Sequence, residues 1–578
     1  MSRVARDVLD HAMPPYIPFD SSNTFRAWRR IAPRFVASLV TVLQFHETLS
    51  DRQAAEAVRG RIDWKYLLGL ALTDPGFDFS VRSEFRDRLL AGSAEEALLN
   101  QRLQRCQGQG LLKSRGQQRT DSTHVLAAIR TLNRLELVGE TLRAALNALA
   151  REAPEWLQRV APLAWYERYA KRIEDARLPR EQSKREVYAQ IIGEDGFTLL
   201  DTLADDEAPE GLRDLPSIET LRRTWHRHYE RSDAGGATLG RPAERQVRFK
   251  EQRELPKAAE GLESPYDIDA RYRRKRENTQ WVGYMVHVSE TCEPDAPHLL
   301  THVHTTRASV HEAMCTEAIE QALVDKELPP QEPVVDAAYV SADLLVQSPQ
   351  AYGIALRGPT RPDVNWQMRG EGAYHPDDFC IEWDQQRALC PQGKASISWQ
   401  AHTDSRGSPF MQGQFSTRDC RPCEHRALCT RAKQPQGRSL RLHPRPQHEA
   451  LKAARAWYES EEGKIQYRRR AGIAGTLSQG VRALGMRRTR YRGVDKTHLQ
   501  NVAIAAAMNI DRVVAWLEGC PRAKTRISRF AALAPHHARG PGSRRGRGGC
   551  LYRADIVWLR IRQQCRFPFD RKRLERFE

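Results

Sequence analysis

Two aspartates, a tyrosine with an arginine, a run of basic residues and a set of cysteines are the side chains here whose types and spacing could do chemistry. Asp336 follows the apolar pair Val334-Val335, so a short buried strand would deliver its carboxylate at the strand's end. Asp121 stands in Arg119-Thr120-Asp121-Ser122-Thr123-His124-Val125, a poorer strand signal. Either aspartate on its own also reads as a turn or cap residue. Tyr467, Arg470 and Ala474 recur at i, i+3 and i+7, so on a helix their side chains leave in one narrow sector. Ile473, Leu477, Val481 and Leu484 form an apolar stripe beside them that would face a core. Downstream, Arg482, Arg487, Arg488, Arg490, Arg492 and Lys496 interleave with Tyr491. That pattern suits phosphate contacts with base stacking, or a solvated basic face.

Of eleven cysteines, Cys390, Cys420, Cys423 and Cys429 stand at turn-like spacing. Cys420-Arg421-Pro422-Cys423 is a C-x2-C knuckle, and Cys390 opens a Pro-x-Gly turn. Four thiolates so placed fit a closed tetrahedral Zn²⁺ site, with Cys380 or His425 as substitutes for one member. Cys106, Cys315 and Cys520 lack partner spacing and read as small buried hydrophobes.

In order along the chain, the Arg119–Val125 segment, Val334-Val335-Asp336-Ala337-Ala338-Tyr339 and the Tyr467 helix resemble the motifs of the DDE transposases of bacterial insertion sequences. The resemblance is to the subgroup whose third acidic residue lies in a Tyr-x2-Arg-x3-Glu helix. With the segment near residues 25 to 100, it covers most of residues 25 to 530. One position departs from the pattern: Ala474 stands where the family has glutamate. The resemblance implies that Asp121, Asp336 and residue 474 would coordinate two Mg²⁺ ions about 3.5 to 4 Å apart, for DNA strand cleavage and transfer. It implies that Tyr467 and Arg470 contact DNA near a transposon end, that the partners are terminal inverted repeats and target DNA, and that the chain forms a homodimer. With Ala474 one metal position loses its anchoring ligand, and hydrolysis is expected to be lost or nearly so. Glu461 and Glu462 lie three turns away and Asp495 follows Gly493, so none replaces it. The alternative is a non-catalytic, transposase-derived DNA-binding protein; a third reading is a zinc-containing nucleic-acid-binding protein with no such history.

The elements that must hold these groups follow from composition and punctuation. At 578 residues the chain is too long for one core. Its 91 Lys and Arg against 73 Asp and Glu give a net charge of +18 and a pI near 9.6, which suits a polyanionic partner. The longest apolar run, Val502 to Met508, falls far short of the roughly 20 residues that span a bilayer, and the first residues lack an apolar signal region. A cytoplasmic, nucleoid-associated bacterial protein with reduced cysteines is expected. The expected architecture is α/β: an RNase H-like core with a helical N-terminal domain, a helical insertion and a zinc-binding cysteine insert. Residues 1–24 read as irregular and 25–112 as a helical DNA-binding or dimerisation domain. Within it, Ser50-Asp51-Arg52-Gln53 is a capping box and Asp74-Pro75-Gly76 a turn. Residues 113–360 begin the core and carry the insertion at 132–240; 361–445 form the cysteine insert. The core's C-terminal helices fall in 446–534, and 535–578 is a basic tail.

Overall fold

The strand that carries Asp121 is the organising element, although its own sequence argues weakly for it. In the computed structural model, which describes residues 36–232, 246–257, 260–361, 366–368, 372–405, 407–431 and 436–520, Gln118–Leu126 forms a full strand. It pairs antiparallel along its whole length with Thr279–Thr291, from Gln118 opposite Thr291 to Leu126 opposite Gly283. Tertiary partners override its polar composition. Gln118 donates to Leu328 O and accepts from Thr301, Thr120 meets Ser289, and Arg119 pairs with Glu290, so no polar group is buried at a loss. Gly283 lets the strands meet: at its φ of 148° a Cβ would stand 2.2 Å from Val125 O.

Leu300–Arg307 flanks the other side of Thr279–Thr291, antiparallel, and Arg271–Arg276 pairs with the start of that strand. Beyond Gln118–Leu126 the pairing turns parallel. Val334 donates to Gln118 O at 2.9 Å, Thr120 donates to Val334 O at 3.1 Å, and Val335 donates to Arg357 O at 2.9 Å. The short strand expected to end at Asp336, and its neighbour around Arg357, are thus present as isolated bridges, too short to be full strands. The 24-residue helix Val494–Leu517 packs on this sheet, with Val502 through Met508 fully buried against Val286, Val288 and Val303. The longest apolar run is therefore core, and among the described residues no helix is long and apolar enough to cross a membrane.

Helices from Arg134–Glu152 to Pro216–His228 close a separate core around Trp165, Tyr169, Ile192, Leu199 and Trp225. They break at Pro162 and after Ala204, where the sequence is punctuated. The N-terminal helices include Asp51–Gly60, opened by the expected Ser50/Gln53 capping box, and Ser80–Ala91 after the Asp74–Gly76 turn. Short strands between Cys380 and Leu442 enclose Phe379, Phe415, Leu440 and Leu442. Mixed helix and small sheets thus fit an α/β fold. The irregular start expected over 1–24 and the basic tail expected over 535–578 lie outside the described residues.

Candidate active site

Parallel pairing brings the two aspartates side by side. Asp121 lies one residue past Thr120, and Asp336 one residue past the Val334-Val335 bridge to the neighbouring segment. A tight turn then fixes Asp336: its Oδ1 accepts from Ala338 N at 2.5 Å and its backbone carbonyl from Tyr339 N at 3.0 Å. Both carboxylates meet one arginine. Arg470 Nη2 stands 2.9 Å from Asp121 Oδ2 and 3.4 Å from Asp336 Oδ2, across sequence separations of 349 and 134 residues. Burial pushes the Asp121 carboxyl above its ordinary value, the Arg470 charge opposes that, and the neighbouring Asp336 charge adds to it.

The helix that would carry the third ligand is not regular. Glu461–Arg468 is α-helical, Arg469–Gly472 tightens to a 3-10 turn, and Ile473–Leu484 resumes the α-helix. A 3-10 turn winds roughly 20° more per residue than an α-helix, so Tyr467, Arg470 and Ala474 span a wider sector than one continuous helix would give. The turn has identifiable causes. Arg119 Nη1 donates to Arg469 O at 2.5 Å, and a Cβ on Gly472 would stand 2.1 Å from that same nitrogen. Arg119 in turn is held by Glu290, a fully buried carboxylate that also accepts from Arg512 at 2.9 Å and from Thr476 at 2.5 Å. The apolar stripe behaves as expected: Ile473, Leu477 and Leu484 are buried and Val481 packs against the same core. Ala474 is exposed in the first turn of the second helix and offers no ligand atom. Glu461 and Glu462 are spent on Lys464 and Gln466, at 2.9 and 3.0 Å.

Tyr467 lies beside Arg470, whose guanidinium is 6.0 Å from its ring, and Tyr458 meets the ring edge-on at 5.1 Å. Burial raises the Tyr467 hydroxyl, and the charges of Asp336 and Asp121 add to this. The basic stretch that follows divides. Arg482, Arg487 and Arg488 are exposed, and Arg487 donates to Thr123, two residues past Asp121, at 2.9 Å. Arg490, Tyr491 and Lys496 are instead engaged by the N-terminal helices. Arg490 donates to Leu49 O and stacks over Phe45, Tyr491 packs edge-on to Phe45 under Arg86, and Lys496 pairs with Asp87 at 2.8 Å. Arg492 stands over Tyr266 at 5.5 Å. Arg490, Tyr491 and Lys496, expected as DNA contacts, thus join the C-terminal helices to the N-terminal ones through an apolar and anionic surface of the same chain.

Sequence reading missed the braces: Glu290, Arg119 and Arg512 on one face of the sheet, and Tyr339 on the other, its hydroxyl 2.7 Å from His287 Nδ1. A glutamate and an arginine directly opposite each other on paired strands, both buried, carry no local signature.

Cys390, Cys420, Cys423 and Cys429 all line one cavity of about 40 Å³, room for an ion or a water but not for an organic ligand. Lys394 N donates to Cys390 Sγ at 3.4 Å. Burial raises the Cys429 thiol, and the other three cysteines add to that. Cys380 is exposed and neither it nor His425 lines the cavity. Among the described residues, however, no group of three or more His, Cys, Asp or Glu is arranged to hold a metal ion. The closed tetrahedral zinc site expected from spacing is therefore present as a gathering of sulfurs and not as a formed ligand set. Cys315 is buried as expected, whereas Cys106 and Cys520 are only partly so.

Two families match the chain. One, described as Transposase DDE domain, covers residues 389–514; the other, Transposase domain (DUF772), covers residues 29–88. Together they support a transposase of the DDE type. The first match spans the cysteine cavity and the Tyr467–Ala474 helix; the second falls on the N-terminal helices. A comparison with curated proteins found no match.

Proposed function

We propose that this chain is an insertion-sequence transposase that binds terminal inverted repeats as a dimer and is built for metal-dependent strand cleavage and transfer, with Ala474 leaving it impaired. The observation that carries this reading is the meeting of Asp121 and Asp336 on one cation, the Arg470 guanidinium. The strand order supports an RNase H-like core: a four-stranded antiparallel sheet flanked by two parallel segments, with Asp121 within the edge strand and Asp336 just past the segment that pairs with it.

The residues present fit a divalent cation in part. Two carboxylates already converge on a positive group, so Asp121 and Asp336 would hold Mg²⁺, and position 474 supplies nothing. When bound, such ions activate the attacking water or 3′-hydroxyl and stabilise the leaving oxygen of an in-line displacement at phosphorus. The chain's own part is positional. The strand and the Asp336 turn fix the carboxylates, and the Arg119–Glu290 brace fixes the helix that presents Tyr467 and Arg470 to a phosphate backbone. Arg482, Arg487 and Arg488 are exposed and could neutralise further phosphates, Arg487 while its Nε stays on Thr123. The four cysteines, which line one cavity, would hold a structural Zn²⁺ that staples the insert.

The test is cleavage of end-containing DNA across Mg²⁺ concentrations. The unchanged chain is expected to bind with strong salt dependence and fail to cut, and Ala474→Glu to nick without much change in affinity. Efficient cutting by the unchanged chain would remove Ala474 from the third position. No cutting by Ala474→Glu, with binding intact, would favour a non-catalytic DNA-binding protein derived from a transposase.

A further inference from the structure

Arg470 bonds both carboxylates through a single nitrogen, while its Nε is buried with no hydrogen-bond partner among the described residues. A guanidinium has five donors in a planar fork and is best satisfied by two oxygens of one anion taken together. The carboxylates offer it one oxygen each, at 2.9 and 3.4 Å, from two different segments. A phosphate would offer a matched pair. The backbone under Arg470 is clamped by Arg119 on Arg469 O and by the close contact at Gly472, so the part free to move is the long side chain. The Tyr467 ring, steadied by Tyr458, lies alongside as a surface over which it can turn.

The same guanidinium sits where a shared cation would sit. Two positive groups cannot both hold the Asp121 and Asp336 oxygens, because each would stand within a few ångströms of the other in a half-buried place.

We propose that Arg470 is a positioning residue that couples nucleic-acid binding to metal loading: it occupies the cation position between Asp121 and Asp336 until a phosphate of the bound polynucleotide draws it away. This rests on the metal-dependent reading above. Linkage makes the coupling reciprocal: DNA tightens metal binding, and metal, by releasing Arg470, tightens DNA binding. The site would then stay closed to divalent ions in the absence of DNA.

The experiment uses the full chain, Mn²⁺ as the probe and electron paramagnetic resonance of free Mn²⁺ as the readout, with and without a short mixed-sequence DNA duplex. Without DNA, Arg470→Ala and Arg470→Gln are each expected to bind Mn²⁺ roughly tenfold or more tightly than the unchanged chain. The glutamine variant keeps a donor and guards against a folding defect. Adding the duplex is expected to raise the unchanged chain's Mn²⁺ affinity by a similar factor and to leave the variants' affinity where it was. Variants that bind Mn²⁺ no better than the unchanged chain would overturn the proposal, as would a DNA effect of equal size in all three proteins. Asp121→Asn tests the underlying reading separately. It should abolish Mn²⁺ binding; if it does not, the carboxylate pair is not the metal site, whatever Arg470 does.

Discussion

Two carboxylate–guanidinium clusters sit on the same face of the Gln118–Leu126 strand, two residues apart, and they are built to opposite ends. At Arg119, Glu290 is completely buried and each oxygen is satisfied: one by Arg119 at 2.6 Å, the other by Arg512 at 2.9 Å and Thr476 at 2.5 Å. At Asp121, two carboxylates share one nitrogen of Arg470, side-chain exposures are 19–30 %, and the guanidinium keeps a buried, unbonded Nε. The carboxylate of the first cluster has every bond it can use and no route to solvent, although Arg512 on one side of it is part-buried. The second holds surplus negative charge next to solvent with an imperfectly held cation. Similar residue types on one strand therefore separate into a brace and a site, and the separation lies in burial and satisfaction, not in chemistry.

The largest expected effect tests the brace. Glu290→Gln removes the buried charge paired with Arg119, itself buried, and with the part-buried Arg512, and breaking a buried pair in this way costs about 3 to 5 kcal/mol. Denaturant unfolding should show a midpoint lowered accordingly, and Glu290→Asp should recover part of it. A loss under about 1 kcal/mol would mean that water reaches the Arg119–Glu290 pair, and the contrast between the clusters would collapse.

The unequal legibility of the two clusters follows from the same physics. Asp336 was readable because an apolar pair precedes it, and the Ile473–Leu484 stripe because its spacing repeats locally. The Ser50/Gln53 capping box and the Asp74–Gly76 turn were readable for the same reason: all their determinants lie within a few residues. The Gln118–Leu126 strand was poorly readable, since its stability comes from a partner more than 150 residues away. The 3-10 turn at Arg469–Gly472 was invisible because its cause is Arg119. The contacts of Arg490, Tyr491 and Lys496 with the N-terminal helices were not readable either, because sequence shows charge and aromaticity but not which distant segment packs on them.

A third carboxylate sharpens the comparison because no guanidinium reaches it. Glu320, on the Ala313–Asp325 helix, is 3 % exposed, and among the described residues neither oxygen has a well-formed hydrogen bond, the buried Ser348 hydroxyl being the nearest polar group to act on it. Burial pushes its carboxyl up to about 7, with Glu317 adding and Ser348 opposing. Its folded value is thus raised above the unfolded one. The fold holds the proton more tightly, so stability is greatest in mild acid and falls as pH rises from the ordinary carboxylate range through about 7. The shift corresponds to about 3 kcal/mol between those limits. Glu320→Gln should flatten the fall when unfolding free energy is followed from pH 5 to pH 8. A pH profile identical in both proteins would show that a partner or water satisfies Glu320 after all.

The smallest effect on stability is expected where the largest effect on binding is expected. Burial raises Asp121 as well, so its ionised form is disfavoured in the fold and stability declines as pH climbs past the ordinary aspartate range. Asp121→Asn removes that decline and gives up a contact to Arg470 that is partly exposed and divided between two acids. Such contacts contribute about 0 to 1 kcal/mol. The variant should therefore unfold within about 1 kcal/mol of the unchanged chain at neutral pH, or slightly above it. A brace would behave in the opposite way. If Asp121→Asn cost as much as Glu290→Gln in the same denaturant titration, the acid pair would be a structural element that happens to reach the surface, and the case for a site at Asp121 and Asp336 would rest on sequence resemblance alone.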